Sequence, residues 1–111
     1  MLRYLALSFC LLLVACGTLP PERVIELTVT ADGYDQTRLE AQAGGMLTLR
    51  LRNRDTIAHS LTLELPTGDR TISVEPMVDV LLSVPIRQPG SYRFYCGVPG
   101  HTEEGILVVS E

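Results

Sequence analysis

From Val24 onward, apolar and polar residues alternate with a period of two. Ile25, Leu27 and Val29 are separated by Glu26 and Thr28; Leu47, Leu49 and Leu51 by Thr48 and Arg50; Leu61, Leu63 and Leu65 by Thr62 and Glu64. Successive side chains of a strand point to opposite faces, so each run has one face to bury and one to wet. Turn-forming residues punctuate the runs at Asp32-Gly33, Gly44-Gly45, Asn53-Arg54-Asp55, Pro66-Thr67-Gly68-Asp69 and Gln88-Pro89-Gly90. The same pattern predicts strands over residues 70–75, 78–86, 91–96 and 105–110, and no window carries a helical stripe. Seven or eight short strands in one domain imply an all-β fold, an antiparallel Greek-key β-sandwich. Internal repeats and low-complexity stretches are absent.

The alternation does not reach the N-terminus. Arg3 precedes an apolar run over residues 5–14, too short for a membrane span of about 20 residues but suited to the middle of a signal peptide. The run ends Leu13-Val14-Ala15-Cys16-Gly17, which resembles the bacterial lipobox, where small residues precede a cysteine that is lipidated and becomes the mature N-terminus. Residues 1–15 are therefore expected to be a lipoprotein signal peptide and 16–23 a tether lipidated at Cys16 and stiffened by Pro20-Pro21. Residues 24–111 form the domain. That assignment places it in a bacterial cell envelope, anchored through lipid and facing the periplasm or the exterior.

A formal charge of −4, with arginines that form neither a run nor an aromatic-interleaved patch, argues against nucleic acid as a partner. Cysteine usage says more. Of three cysteines, Cys10 leaves with the signal peptide and Cys16 carries lipid, so Cys96 is a lone thiol in an oxidising compartment. It cannot form an intramolecular disulfide, and metal ligation is one reason for such a thiol to exist.

Strand parity puts Tyr92, Phe94 and Cys96 on one face. If Phe94 points into the core, Cys96 does too, at the end of its strand and so at one pole of the sandwich. The segment Gly97-Val98-Pro99-Gly100 then turns and delivers His101 to that pole. His59 follows a turn and opens an alternating run, so it also stands at a strand end. Each residue alone is unremarkable, a loop histidine or a small buried thiol. Together they are the domain's two histidines and its one free cysteine.

With these positions in place the chain resembles a cupredoxin, the small blue copper family. The motifs are residues 53–60, NRDTIAHS, for an early histidine, and residues 89–101, PGSYRFYCGVPGH, for a late strand and loop. The likeness runs from about Val24 to Glu111. It implies one copper ion, cycling between Cu(I) and Cu(II), held by His59, Cys96 and His101. Two imidazoles and a thiolate in a trigonal array favour copper, the thiolate stabilising Cu(I) as well as Cu(II).

The sequence departs from the family where a methionine, the weak axial ligand, usually follows the second histidine. Here the chain reads His101-Thr102-Glu103-Glu104-Gly105-Ile106-Leu107-Val108-Val109. Counted forward from His101, Ile106 takes the methionine position. Counted back from the final strand, the loop is short and Glu104 lies nearest the axial side. The second register keeps the strand's apolar phase, which a strand needs more than a loop needs its length. An apolar Ile106 leaves three ligands; a carboxylate from Glu103 or Glu104 favours Cu(II) or admits zinc; the carbonyl of Ala58 is a third candidate. Met46 and Met77 are expected to be fillers. Ser60 stands where the family commonly has asparagine and is expected to tie the two ligand loops together.

Three functions follow. The resemblance implies a one-electron carrier, monomeric, with a redox partner such as a cytochrome or terminal oxidase and a membrane contact through its lipid. The missing methionine leaves room for a protein that holds copper and delivers it to an envelope oxidase. A metal-free envelope interaction module is the third. An enzyme is not expected: two histidines cannot build a second copper centre, and no Ser/His/Asp arrangement, phosphate loop or dinucleotide fingerprint occurs.

Overall fold

The computed structural model describes residues 22–111. The expected signal peptide, Cys16 and most of the tether lie outside the described residues. Nine strands follow in order: β1 (Glu22–Thr30), β2 (Gly33–Tyr34), β3 (Arg38–Gln42), β4 (Gly45–Asn53), β5 (His59–Leu63), β6 (Arg70–Val74), β7 (Asp79–Ile86), β8 (Gly90–Tyr95) and β9 (Glu104–Ser110). They make two sheets, β2-β1-β4-β7 and β3-β9-β8-β5-β6, and the alternating runs fill the space between them. Leu27, Val29, Leu47, Leu49, Leu51 and Val84 from the first sheet meet Leu61, Leu63, Val74, Phe94 and Leu107 from the second, all nearly or fully buried. Burying each such side chain contributes about 1.5–3 kcal/mol.

The sandwich is as expected, but three details differ. The sheets are mixed, not antiparallel: β1 runs parallel to β4 from Glu22↔Met46 to Val29↔Asn53, and β3 runs parallel to β9. Between β1 and β4 the chain crosses to the second sheet, lays down β3 and crosses back, which returns it alongside β1 in the same direction. The excursion serves as the crossover that a parallel pair requires. Next, β3 was not foreseen, because only Leu39 and Ala41 mark its buried face between Arg38, Glu40 and Gln42. Finally, β1 starts at Glu22, inside the expected tether, since Glu22 and Arg23 already pair with Met46 and Leu47.

Five of the arginines that looked scattered, Arg38, Arg50, Arg52, Arg54 and Arg93, have acidic partners. On the solvent face of β4 and just past its end, Arg50 and Arg54 reach Asp79 of β7 at 3.0 and 2.8 Å, and Arg52 reaches Glu26 of β1 at 3.4 Å. The hydrogen bond from Arg54, chiefly, holds the Asp79 carboxyl below its ordinary range. Such exposed pairs contribute about 0–1 kcal/mol each, so they fix strand order more than stability.

The pole of the sandwich is built by two registers. β5 and β8 pair at Thr62↔Tyr95 and Leu63↔Phe94, the last two residues of each, so the start of β5 runs past the end of β8. β8 and β9 pair at Phe94↔Gly105 and Tyr95↔Glu104, and beyond that the Cys96 amide donates to the Glu103 carbonyl at 3.0 Å. Gly105 sets the second register. A Cβ there would overlap the Phe94 ring and stand 2.7 Å from the Thr37 carbonyl oxygen. Gly105→Ala is therefore expected to cost about 1–3 kcal/mol by overpacking, read as a lower urea midpoint with an unchanged slope.

Candidate metal centre

His59, Cys96, His101 and Glu103 meet at this pole, each with one donor atom within 4.8 Å of the others. Each is delivered by a local rule. Cys96 continues the inward face of β8 past Phe94 and is 5 % exposed. Val98-Pro99-Gly100-His101 closes as a β-turn, the His101 amide donating to the Val98 carbonyl at 3.0 Å with Gly100 at φ 86°. Proline then glycine at the two central positions is what a type II turn requires, and the turn swings His101 back over the thiol. The Cys96 Sγ and His101 Nδ1 lie 3.5 Å apart.

His59 is fixed from behind. Its Nε2 donates to Asp55 Oδ2 at 2.8 Å, which leaves Nδ1 as the nitrogen turned toward the cluster. A carboxylate behind a ligating imidazole is a recurring metal-site device that sets tautomer and ring orientation. Asp55 is in turn held by its loop. It accepts from the Thr56 amide at 2.7 Å, and these bonds, the His59 bond foremost, keep its carboxyl below the usual range. Asn53, fully buried at the end of β4, accepts from the Asp55 amide at 2.9 Å and donates to the carbonyls of Ile57 at 2.9 Å and Val74 at 3.2 Å.

Ser60 joins the two ligand segments. Its hydroxyl accepts from the Gly97 amide at 2.9 Å and lies 3.7 Å from the Cys96 sulfur, which also accepts from the Ser60 amide at 3.4 Å. From the other side Tyr34 donates to the Ser60 carbonyl at 2.7 Å. Burial, with smaller repulsion from Cys96 and Glu103, pushes the Tyr34 phenol well above its ordinary pKa, so it stays a donor.

The axial candidates separate. Glu104 points outward to Arg93 at 2.9 Å, and Ile106 is 47 % exposed on the outer face of β9; strand phase turns both away from the cluster. Ala58 lies in the loop that leads to His59. Met46 and Met77 are exposed. Glu103, one residue before β9, is the carboxylate that enters. Its Oε2 lies 2.7 Å from His59 Nδ1 and 3.3 Å from His101 Nδ1. Burial pushes its carboxyl up, but its own backbone amide and the two imidazoles outweigh this and hold it below the usual range.

The donors fit a metal ion. Bonds of about 2.0–2.3 Å to nitrogen and sulfur put neighbouring ligands about 3–4 Å apart, the spacing seen between Cys96 and His101. An ion held at His59 Nδ1 would take the place of the hydrogen bond to Glu103 and leave the bond to Asp55 intact. One thiolate and two imidazoles make a donor set suited to copper. A cleft of about 360 Å³ between residues 65–67 and 85–88 lies at the opposite pole and takes no part.

The family model for the cupredoxin-like domain matches residues 3–109. The chain belongs to the cupredoxin-like family. No curated protein matches it at a significant level. Among solved structures, it superposes on auracyanin B with a TM-score of 0.71, at 18 % identity over 86 % of this chain and 94 % of that one. Auracyanin A, a "blue" copper protein from Chloroflexus aurantiacus, gives 0.68 at 20 % identity, over 81 % of this chain and all of that one. A copper-containing nitrite reductase from Thermus scotoductus gives 0.64 at 22 % identity, over 81 % of this chain but only 28 % of its own length. At these identities the likeness establishes the fold, and His59, Cys96 and His101 make this cupredoxin's cluster one that fits a single copper ion.

Sequence reasoning missed Asp55 and Asn53 as parts of the site. The i,i+4 spacing of Asp55 and His59 was a usable signal; Asn53 looked like a turn residue. Asn53→Ala is expected to leave buried carbonyls without a donor and to lower stability by about 1–3 kcal/mol, measured by urea denaturation. Asp55→Ala is expected to weaken Cu(II) binding by about 10–100-fold, measured by chelator competition.

Proposed function

We propose that this cupredoxin is a one-electron carrier built on a type 1 copper site, held at a bacterial envelope membrane by lipid on Cys16. The observation that carries the electron-transfer reading is the convergence of His59, Cys96 and His101 donors at one pole of a rigid sandwich. Copper bound there supplies a Cu(I)/Cu(II) couple. The chain's part is to keep the ligands in place in both states. His59 is locked by Asp55, Cys96 by Ser60, and His101 by its own turn. Ligands that barely move on oxidation or reduction need little reorganisation, and exchange is then fast. The His101 side chain is 16 % exposed against 3 % for His59, so it offers the shorter path to a docked cytochrome or oxidase.

Among the described residues one donor cluster of this kind is present, which suits a single copper ion. The lipid anchor and the envelope location rest on the Leu13–Gly17 motif, and a monomer is proposed with them. A copper-delivery role is the second reading, favoured by a polar depression lined by Tyr95, Cys96, His101 and Glu103 through which an acceptor could reach the metal.

Adding Cu(II) to the protein is expected to give an intense visible thiolate-to-copper band that is lost in Cys96→Ser; a colourless wild type rules the site out. Rapid, reversible electron exchange with a cytochrome supports the carrier. Slow exchange with ready copper transfer to an acceptor supports delivery. For the anchor, Cys16→Ser is expected to release the protein from the membrane fraction.

A further inference from the structure

We propose that Glu103 is a fourth ligand to the metal held by His59, Cys96 and His101, a carboxylate on a site whose relatives usually add methionine. The inference rests on the copper reading above and deepens it.

Three observations carry it. The first is register. With Gly105 locked against Phe94, Tyr95 faces Glu104 and Cys96 faces Glu103, so Glu103 is held beside the thiol by a 3.0 Å backbone bond. The second is enclosure. Gly33, at φ 102° where β2 leaves its turn, packs over the Glu103 stem so closely that a Cβ there would stand 3.3 Å from Glu103 Cβ. The side chain, 12 % exposed, is turned inward under that turn.

The third observation is the choice of partners. The nearby guanidinium, Arg93, is engaged by Glu104 at 2.9 Å and by Glu64 at 3.5 Å. Glu103 instead has the two imidazoles, at 2.7 and 3.3 Å from the same oxygen. A carboxylate whose side-chain partners are both metal ligands loses its hydrogen bond to His59 Nδ1 when an ion takes that nitrogen. Burying it unpaired is costly, and bonding the ion is the compensation within reach.

The chemical consequence is a shift in preference between oxidation states. A carboxylate is a hard donor, and with the thiolate it brings two negative charges. Cu(II) is neutralised by that pair and Cu(I) is overbalanced, so the fourth ligand favours Cu(II) and lowers the potential. The four donors also make a closed set for Zn(II), which accepts tetrahedral nitrogen, sulfur and oxygen ligands.

The test uses the full chain as wild type, Glu103→Gln and Glu103→Leu. Cu(II) and Cu(I) affinities are measured by chelator competition, with electron spin resonance and visible spectra of the Cu(II) forms. Both variants are expected to shift the Cu(I)-to-Cu(II) affinity ratio at least tenfold toward Cu(I), equivalent to a potential about 59 mV higher. The copper hyperfine splitting is expected to shrink, and Zn(II) binding to weaken at least tenfold. Glu103→Gln keeps size and polarity, so it carries the test even where Glu103→Leu does not fold. Ratios and spectra matching wild type in Glu103→Gln would overturn the fourth ligand while the thiolate band upholds the copper site. A wild type without that band overturns both.

Discussion

The metal pole depends on Ser60. In the ladder, β5 and β8 pair only at Thr62↔Tyr95 and Leu63↔Phe94, and past those rungs the strands would splay. Ser60 spans the gap by other means. Its amide turns to the Cys96 sulfur instead of a strand carbonyl, its hydroxyl takes the Gly97 amide, and its carbonyl takes the Tyr34 phenol. One residue therefore links β5, the loop after β8 and the β2 turn. The sheet opens enough for a ligand cluster, yet the amide, hydroxyl and carbonyl of Ser60 each have a partner, as buried polar groups require. A sulfur that accepts two bonds from Ser60 is held in place before any metal arrives.

How much of this was legible in the sequence depends on which physical signal was being read. The sandwich and its core follow from period-two alternation, because strands buried on one face have no other way to hide leucine. The convergence of His59, Cys96 and His101 was equally readable, since pattern puts His59 and Cys96 at strand ends and turn chemistry brings His101 back to the same pole. Alternation is silent about direction, however, so the parallel pairs β1–β4 and β3–β9 could not be seen, nor could a strand as weakly apolar as β3. The fourth position shows the same limit at finer scale. Glu103 and Glu104 are chemically identical neighbours, and only the pairing of Gly105 with Phe94 decides which faces the thiol. Asp55 was hidden for a related reason: its partner His59 had already been assigned a role, and nothing in composition says what stands behind a ring.

The carboxylates flanking His59 also bear on which copper function the site suits. Asp55 and Glu103 stand at the two ring nitrogens, at 2.8 and 2.7 Å, within reach of a buried thiol. A site that passes Cu(I) to an acceptor gains from soft, loosely packed donors that release the ion. Here the wall behind His59 is rigid, Ser60 clamps the sulfur, and a hard oxygen at Glu103 favours the higher oxidation state. The proposed fourth ligand and the delivery reading therefore pull against each other. Together, the fourth ligand and the carrier reading describe a copper centre of lowered potential. Such a centre gives up its electron readily, so its demanding partner is the reductant that must reach a low enough potential to load it.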